Sequence, residues 1–179
     1  SGKAEDTNEL KAWKMIEDAG SRPFFLNLSY YNVHVPIEAK AEDITYFKNK
    51  LSPEYHHQNE TYAAMVKNVD DNVGRLLHKL DELGISENTI VVYTSDNGGV
   101  IQKYKDKVVT DNFPLREGKG SLYEGGIRIP TIIFYPKNPG KGQQIDVPIS
   151  TIDYLPTVME IAGIPNDLDN IEGESFLPL

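Results

Sequence analysis

Val91-Val92-Tyr93-Thr94-Ser95-Asp96-Asn97-Gly98-Gly99 is the stretch whose reading decides the fold. Ile90 to Tyr93 form a short apolar run of β-branched and aromatic residues, the pattern of a strand buried on both faces. In open α/β sheets, ligands sit beyond the carboxyl ends of the strands. Asp96 and Asn97 fall at such an end, and both offer the side-chain oxygens that hard cations prefer. Gly98 and Gly99 let the backbone turn away after them. Read alone, the same four residues equally form an ordinary turn after a strand.

Working outward, the spacing predicts a helix over residues 59–83, with Tyr62, Met65, Val66, Val69, Val73, Leu76, Leu77 and Leu80 in one apolar stripe and Gly84 ending it. Helix followed by strand is an α/β unit, so a mostly parallel or mixed sheet flanked by helices is expected. Residues 7–19 also read as a helix, with Leu10, Trp13 and Ile16 on one face and Gly20 as its cap. A strand is expected over 23–30, a short helix over 44–51 and a second sheet strand over 131–135. Ser150 or Thr151 caps a last helix that runs to Ile161, and residues 136–142 are turn-rich. Residues 98–126, rich in Gly, Lys, Asp and Asn, form a long loop of the functional kind.

Composition bounds the function classes. The chain has 179 residues, 39% of them hydrophobic, and a mean hydropathy of −0.43, which fits a globular protein. No apolar run is long enough to span a bilayer, and no signal peptide is expected within these residues. A formal charge of −9 argues against nucleic acid as a partner. With zero cysteines, disulfides and thiolate metal sites are excluded within this chain.

Pro114-Leu115-Arg116-Glu117-Gly118-Lys119-Gly120-Ser121-Leu122-Tyr123-Glu124-Gly125-Gly126-Ile127-Arg128-Ile129-Pro130 follows the opening stretch. Together with Thr94-Ser95-Asp96-Asn97-Gly98-Gly99 it resembles the sulfatase family of the alkaline-phosphatase-like superfamily. The resemblance extends in order through Phe24-Phe25-Leu26-Asn27-Leu28-Ser29-Tyr30 with His34-Val35-Pro36, Tyr62-Ala63-Ala64-Met65-Val66, Asp70-Asp71-Asn72-Val73-Gly74-Arg75, Ile152-Asp153-Tyr154-Leu155-Pro156-Thr157 and Gly173-Glu174-Ser175. Several long motifs in fixed order carry far more weight than any one of them.

The resemblance implies a calcium ion (magnesium is the less favoured choice) on Asp96 and Asn97, and a sulfate contact from Lys119. It implies substrate contact and proton donation from His34. Asn112 and Arg116 flank the lysine loop and read as substrate-binding residues that shape the pocket, though Arg116 could equally pair with Glu117 or Glu124. It also implies a formylglycine nucleophile, made from Cys or Ser in an x-Pro-Ser/Ala-Arg context. No such context occurs here, and Ser21-Arg22-Pro23 has similar residues in the wrong order. Residues 1–179 therefore read as the central to C-terminal portion of a single sulfatase catalytic domain, inactive by itself. A sulfated small molecule or glycan is the expected substrate, and a periplasmic, extracellular or lysosomal setting the expected location. Exposed sheet edges would favour self-association.

Two other readings stand beside this one. A phosphatase, phosphodiesterase or phosphotransferase of the same superfamily would share the fold, and a non-catalytic metal-binding remnant would keep the sheet without the chemistry. His56, His57 and His78 read as surface residues, Asp70-Asp71 as a solvated helix face, and Glu124, Arg128 and Gly125-Gly126 as structural.

Overall fold

The computed structural model describes residues 2–137, 142–165 and 170–178, with side chains from residue 9 onward. The chain forms two compact units, Ser1–Lys137 and Asn138–Leu179.

In the first unit, helices α1 (Gly2–Ala19) and α2 (Ala41–Lys48) both pack on the long helix α3 (Glu60–Glu82). Local signals set the ends of α3. The Asn59 side chain accepts hydrogen bonds from the backbone nitrogens of Thr61 and Tyr62, and Gly84 adopts φ 68° just past the end. Ala64, Met65, Val69, Asn72 and Leu80 are its buried positions. Val66 and Leu77, expected in the stripe, face solvent. The place of an apolar residue is taken by Asn72, whose amide donates to the Asn68 carbonyl at 2.6 Å.

That polar core position has a reason. Arg75 donates to both carboxylate oxygens of Glu9, at 2.7 and 2.9 Å, and to Asn72 Oδ1 at 2.7 Å. Glu9, Ala12 and Ile16 are the buried positions of α1, while Leu10 is exposed. The expected face of α1 is thus rotated: Glu9 meets Arg75 of α3, and Leu10 is left on the outside.

The α/β class stands. Strand β1 (Val91–Thr94) pairs with a later strand, which the 98–130 segment returns beside it in the opposite direction. The pairing of these two strands is antiparallel, as a mixed sheet allows, with no parallel neighbour of β1 among the described residues. Val92 and Tyr93 are exposed, so β1 is not buried on both faces by these residues. The hydroxyl of Tyr62 on α3 is raised above its ordinary acidity value, first by burial and then by nearby Tyr93.

Residues 23–30 are extended, with Phe24, Leu26, Leu28 and Tyr30 half-buried and the residues between them exposed. The period-two pattern matches a strand. No ladder forms there among the described residues.

The expected loop between the sheet strands contains three small elements: β2 (Lys103–Tyr104), β3 (Lys107–Val108) and the short helix α4 (Glu124–Ile127). β2 and β3 form a hairpin. β4 (Thr131–Phe134) then pairs with β1, from Val91 opposite Phe134 to Thr94 opposite Thr131.

In the second unit, Ser150 and Asp153 form a reciprocal capping box ahead of α5 (Tyr154–Ile161), as the sequence suggests. Part of the turn-rich 136–142 connection, residues 138–141, lies outside the described residues. Among the described residues, no helix is long and apolar enough to cross a membrane.

Candidate active site

The chain leaves β1 at Thr94 and bends at Asp96 and Asn97. Ser95 Oγ donates to the Asn97 carbonyl at 3.1 Å, which fixes the bend. Asp96 is exposed and has no hydrogen-bond or ion-pair partner among the described residues. Asn97 uses its amide nitrogen on the Gly98 carbonyl at 3.0 Å. Its Oδ1 remains an acceptor.

Beyond Asn97, two distant loops lock together through backbone. Gly98 N donates to Gly126 O at 2.9 Å, Lys119 N to Gly99 O at 3.0 Å and Gly125 N to Arg116 O at 2.9 Å. A Cβ on Gly98 would run into the Gly125 carbonyl, and one on Gly125 would run into the Glu117 carbonyl. Only glycine lets two backbones approach this closely. The Asp-Asn-Gly-Gly turn and the Gly-Lys-Gly loop are therefore one structural unit, although about twenty residues separate them in sequence.

Asn112 is the clamp of this unit. Its Nδ2 donates to Gly99 O and Glu117 O at 2.9 Å each, and to Gly125 O at 3.1 Å. Two amide hydrogens serve three carbonyls, so the side chain binds loop backbone instead of projecting toward a ligand. Glu117 sits at φ 60°, a costly value for a non-glycine residue, and is held there by this clamp.

Lys119 is half-buried, and its ammonium has no ion-pair partner among the described residues. The guanidinium of Arg116 lies 3.7 Å above the Tyr123 ring centre and only 3.9 Å from a Glu117 carboxylate oxygen. Glu124 pairs with Arg128 at 3.2 Å, as expected of structural residues.

His34 stands apart. It is exposed, its Nδ1 lies 3.0 Å from the Val35 carbonyl, and its ring tilts against Tyr31. No hydrogen bond, ion pair or ring contact joins it to the 96–126 loops among the described residues. The structure thus brings Asp96, Asn97, Lys119, Asn112 and Arg116 into one loop cluster, with His34 on a separate segment.

Sequence reading missed the segment that braces this cluster. His57 Nδ1 lies 3.0 Å from Thr110 Oγ1, the His56 ring stacks on Phe113 at 4.1 Å, and Asn59 Nδ2 donates to the Val108 carbonyl at 2.9 Å. These partners lie 49 or more residues apart, and no local pattern announces them. His78 stays on the surface beside Glu82, and Asp71 pairs with Lys67.

Asp96 and Asn97 fit a hard cation. One supplies a carboxylate that nothing else engages, the other a neutral oxygen that adds no repulsion. Calcium takes roughly six to eight oxygen ligands, so two residues are part of a shell. Among the described residues, no group of three or more His, Asp or Glu is gathered as a cation site.

Comparison with known proteins gives the family. Residues 2–164 match the family model described as Sulfatase. Human steryl-sulfatase is 33% identical over 174 residues, covering 95% of this chain and 28% of its own length. A sulfatase of Formosa agariphila is 38% identical over 151 residues, covering 79% of this chain and 26% of its own. Among solved structures, Ps i-CgsB in complex with k-i-k-neocarrahexaose superposes with a TM-score of 0.85 and 34% identity, over 97% of this chain and 37% of that one. This chain spans about a quarter of the length of the two curated relatives. With the family model matched across most of its residues and the two motif loops interlocked, the chain belongs to the sulfatase family, whose alkaline-phosphatase-like fold it shares.

Proposed function

We propose that the complete protein hydrolyses a sulfate ester, and that residues 1–179 are the central to C-terminal portion of its catalytic domain. The observation that carries this is the backbone interlock between Gly99 and Lys119, which puts Lys119 on one loop cluster with the turn of Asp96 and Asn97.

In this reading Asp96 and Asn97 hold calcium in preference to magnesium, because a mixed carboxylate and amide pair suits the larger ion's looser shell. A dication bound there neutralises ester charge and acts as a Lewis acid. Lys119 places its ammonium against a sulfate oxygen. His34 is the donor of a proton to the departing alcohol. Asn112 keeps the Lys119 loop in place through three backbone carbonyls, and Arg116 packs on Tyr123 beside it. The formylglycine nucleophile comes from sequence outside these residues, so the chain alone has no turnover.

A sulfated saccharide is the favoured substrate class, supported by the neocarrahexaose bound to the structural relative. The test is turnover of 4-nitrophenyl sulfate and sulfated oligosaccharides by the complete protein, with calcium measured by calorimetry. Asp96→Ala is expected to abolish both activity and stoichiometric calcium. Retention of calcium by that variant overturns the ligand assignment, and preference for phosphate esters overturns the reaction.

A further inference from the structure

We propose that the outer face of Phe113 is a sugar-stacking platform for the saccharide part of the substrate. This rests on the reading of the complete protein as a sulfatase.

Phe113 is 63% exposed, which is unusual for a ring gripped so firmly. Its backbone nitrogen donates to Asp111 Oδ1 at 2.9 Å, while Asp111 Oδ2 lies 3.7 Å from His56 Nδ1. The same carboxylate therefore orients both rings of the pair. The His56 ring lies 4.1 Å from Phe113 at an interplanar angle of 17°, covering one face and leaving the other to solvent. Flanking contacts from His57 to Thr110 and from Asn59 to Val108 hold the supporting segments together. Such a held, outward-facing ring is poised to bury against a ligand.

Its place in the site gives the ligand's chemistry. Phe113 follows Asn112 directly, and Asn112 clamps the loop that carries Lys119. The ring therefore belongs to the same loop cluster as Lys119, on which a sulfated ester would seat. Sugar rings present C–H faces that pack flat on aromatic rings. Charge agrees, because the chain carries a net −9 while Lys103 and Lys105 lie on the hairpin rising from the same loop. The base of that hairpin is joined by Thr110 N to Val100 O at 3.1 Å, directly after Gly99. Neither lysine has a carboxylate partner among the described residues. They suit further sulfates on an oligosaccharide.

The test uses the complete protein, its Phe113→Ala and Phe113→Tyr variants, and oligosaccharides from carrageenan, chondroitin sulfate and heparin. Binding is measured by calorimetry, turnover on those sugars and on 4-nitrophenyl sulfate. Phe113→Ala is expected to weaken the preferred oligosaccharide by about tenfold in KM and affinity, with kcat on 4-nitrophenyl sulfate within about twofold. Phe113→Tyr, which keeps the face, restores binding. Parallel loss of kcat on both substrates would assign Phe113 to loop support and overturn the platform. So would unchanged oligosaccharide affinity, or no binding of any of the three by the unsubstituted protein. Oligosaccharide binding that depends on Phe113 without sulfate-ester turnover would keep the platform and remove the sulfatase reading.

Discussion

The backbone nitrogen of Lys119 donates to the carbonyl oxygen of Gly99 at 3.0 Å, and this bond ties the candidate sulfate-binding loop to the turn that carries Asp96 and Asn97. Both motifs belong to one rigid backbone unit, so substitutions that part the two loops should act on metal binding and turnover together.

Gly98→Ala and Gly125→Ala test that unit most directly. A methyl on Gly98 would meet the Gly125 carbonyl oxygen across the two loops, and one on Gly125 would meet the Glu117 carbonyl oxygen within the Lys119 loop. We expect a loss of about 1–3 kcal/mol in unfolding free energy, and of calcium affinity in the complete protein. Gly74→Ala is the contrast. It lies within α3 with nothing near its added methyl, and should stabilise by about 0.5–1 kcal/mol. Denaturant titration of the three variants separates loop contact from helix propensity.

Asn112→Ala removes the donor shared by three carbonyls. A cost of about 1–3 kcal/mol is expected. Asn112→Asp should be worse, because a carboxylate facing carbonyl oxygens adds repulsion. If both variants kept wild-type stability and calcium affinity, the clamp would have no energetic weight.

Arg75→Met leaves the Glu9 carboxylate buried without its main partner. We expect destabilisation below the roughly 3–5 kcal/mol of a fully buried pair, because the Arg75 side chain is 44% exposed. Replacing both, as Glu9→Met with Arg75→Met, should recover much of it. Urea midpoints of the single and double variants check this.

Acid should act on the contact between α3 and the β2–β3 hairpin. Lys107 donates to Glu60 and holds its carboxyl below the usual 4.5. A lowered carboxylate adds stability that is complete above its unfolded value and is lost as pH falls through the folded one. Glu60→Gln should therefore narrow the stability gap between pH 6 and pH 3. An identical acid dependence in wild type and variant would remove Glu60 from the account.

Much of the fold was legible because its signals are local. Asn59 and Gly84 bracket α3 within a turn of its ends, and Ser150 with Asp153 marks the start of the last helix. The two glycine-rich motifs declared the family by residue order alone. What failed were inferences about which neighbour a surface meets. Leu10 was expected in the core, yet Glu9 is there, because Arg75 lies 66 positions away on another helix. Residues 23–30 have the alternation of a strand but no hydrogen-bonded partner, and a ladder is a property of two segments.

The sequence by itself determined the long helix, the two paired strands and the family, and it nominated Asp96, Asn97 and Lys119 as site residues. Tertiary structure alone decided that Gly98 packs on Gly125, that Asn112 grips three carbonyls, and that His56 stacks on Phe113. The physical reason is range. Capping, propensity and periodicity act over a few residues, while close backbone approach and ring stacking depend on segments that meet only when the chain has folded.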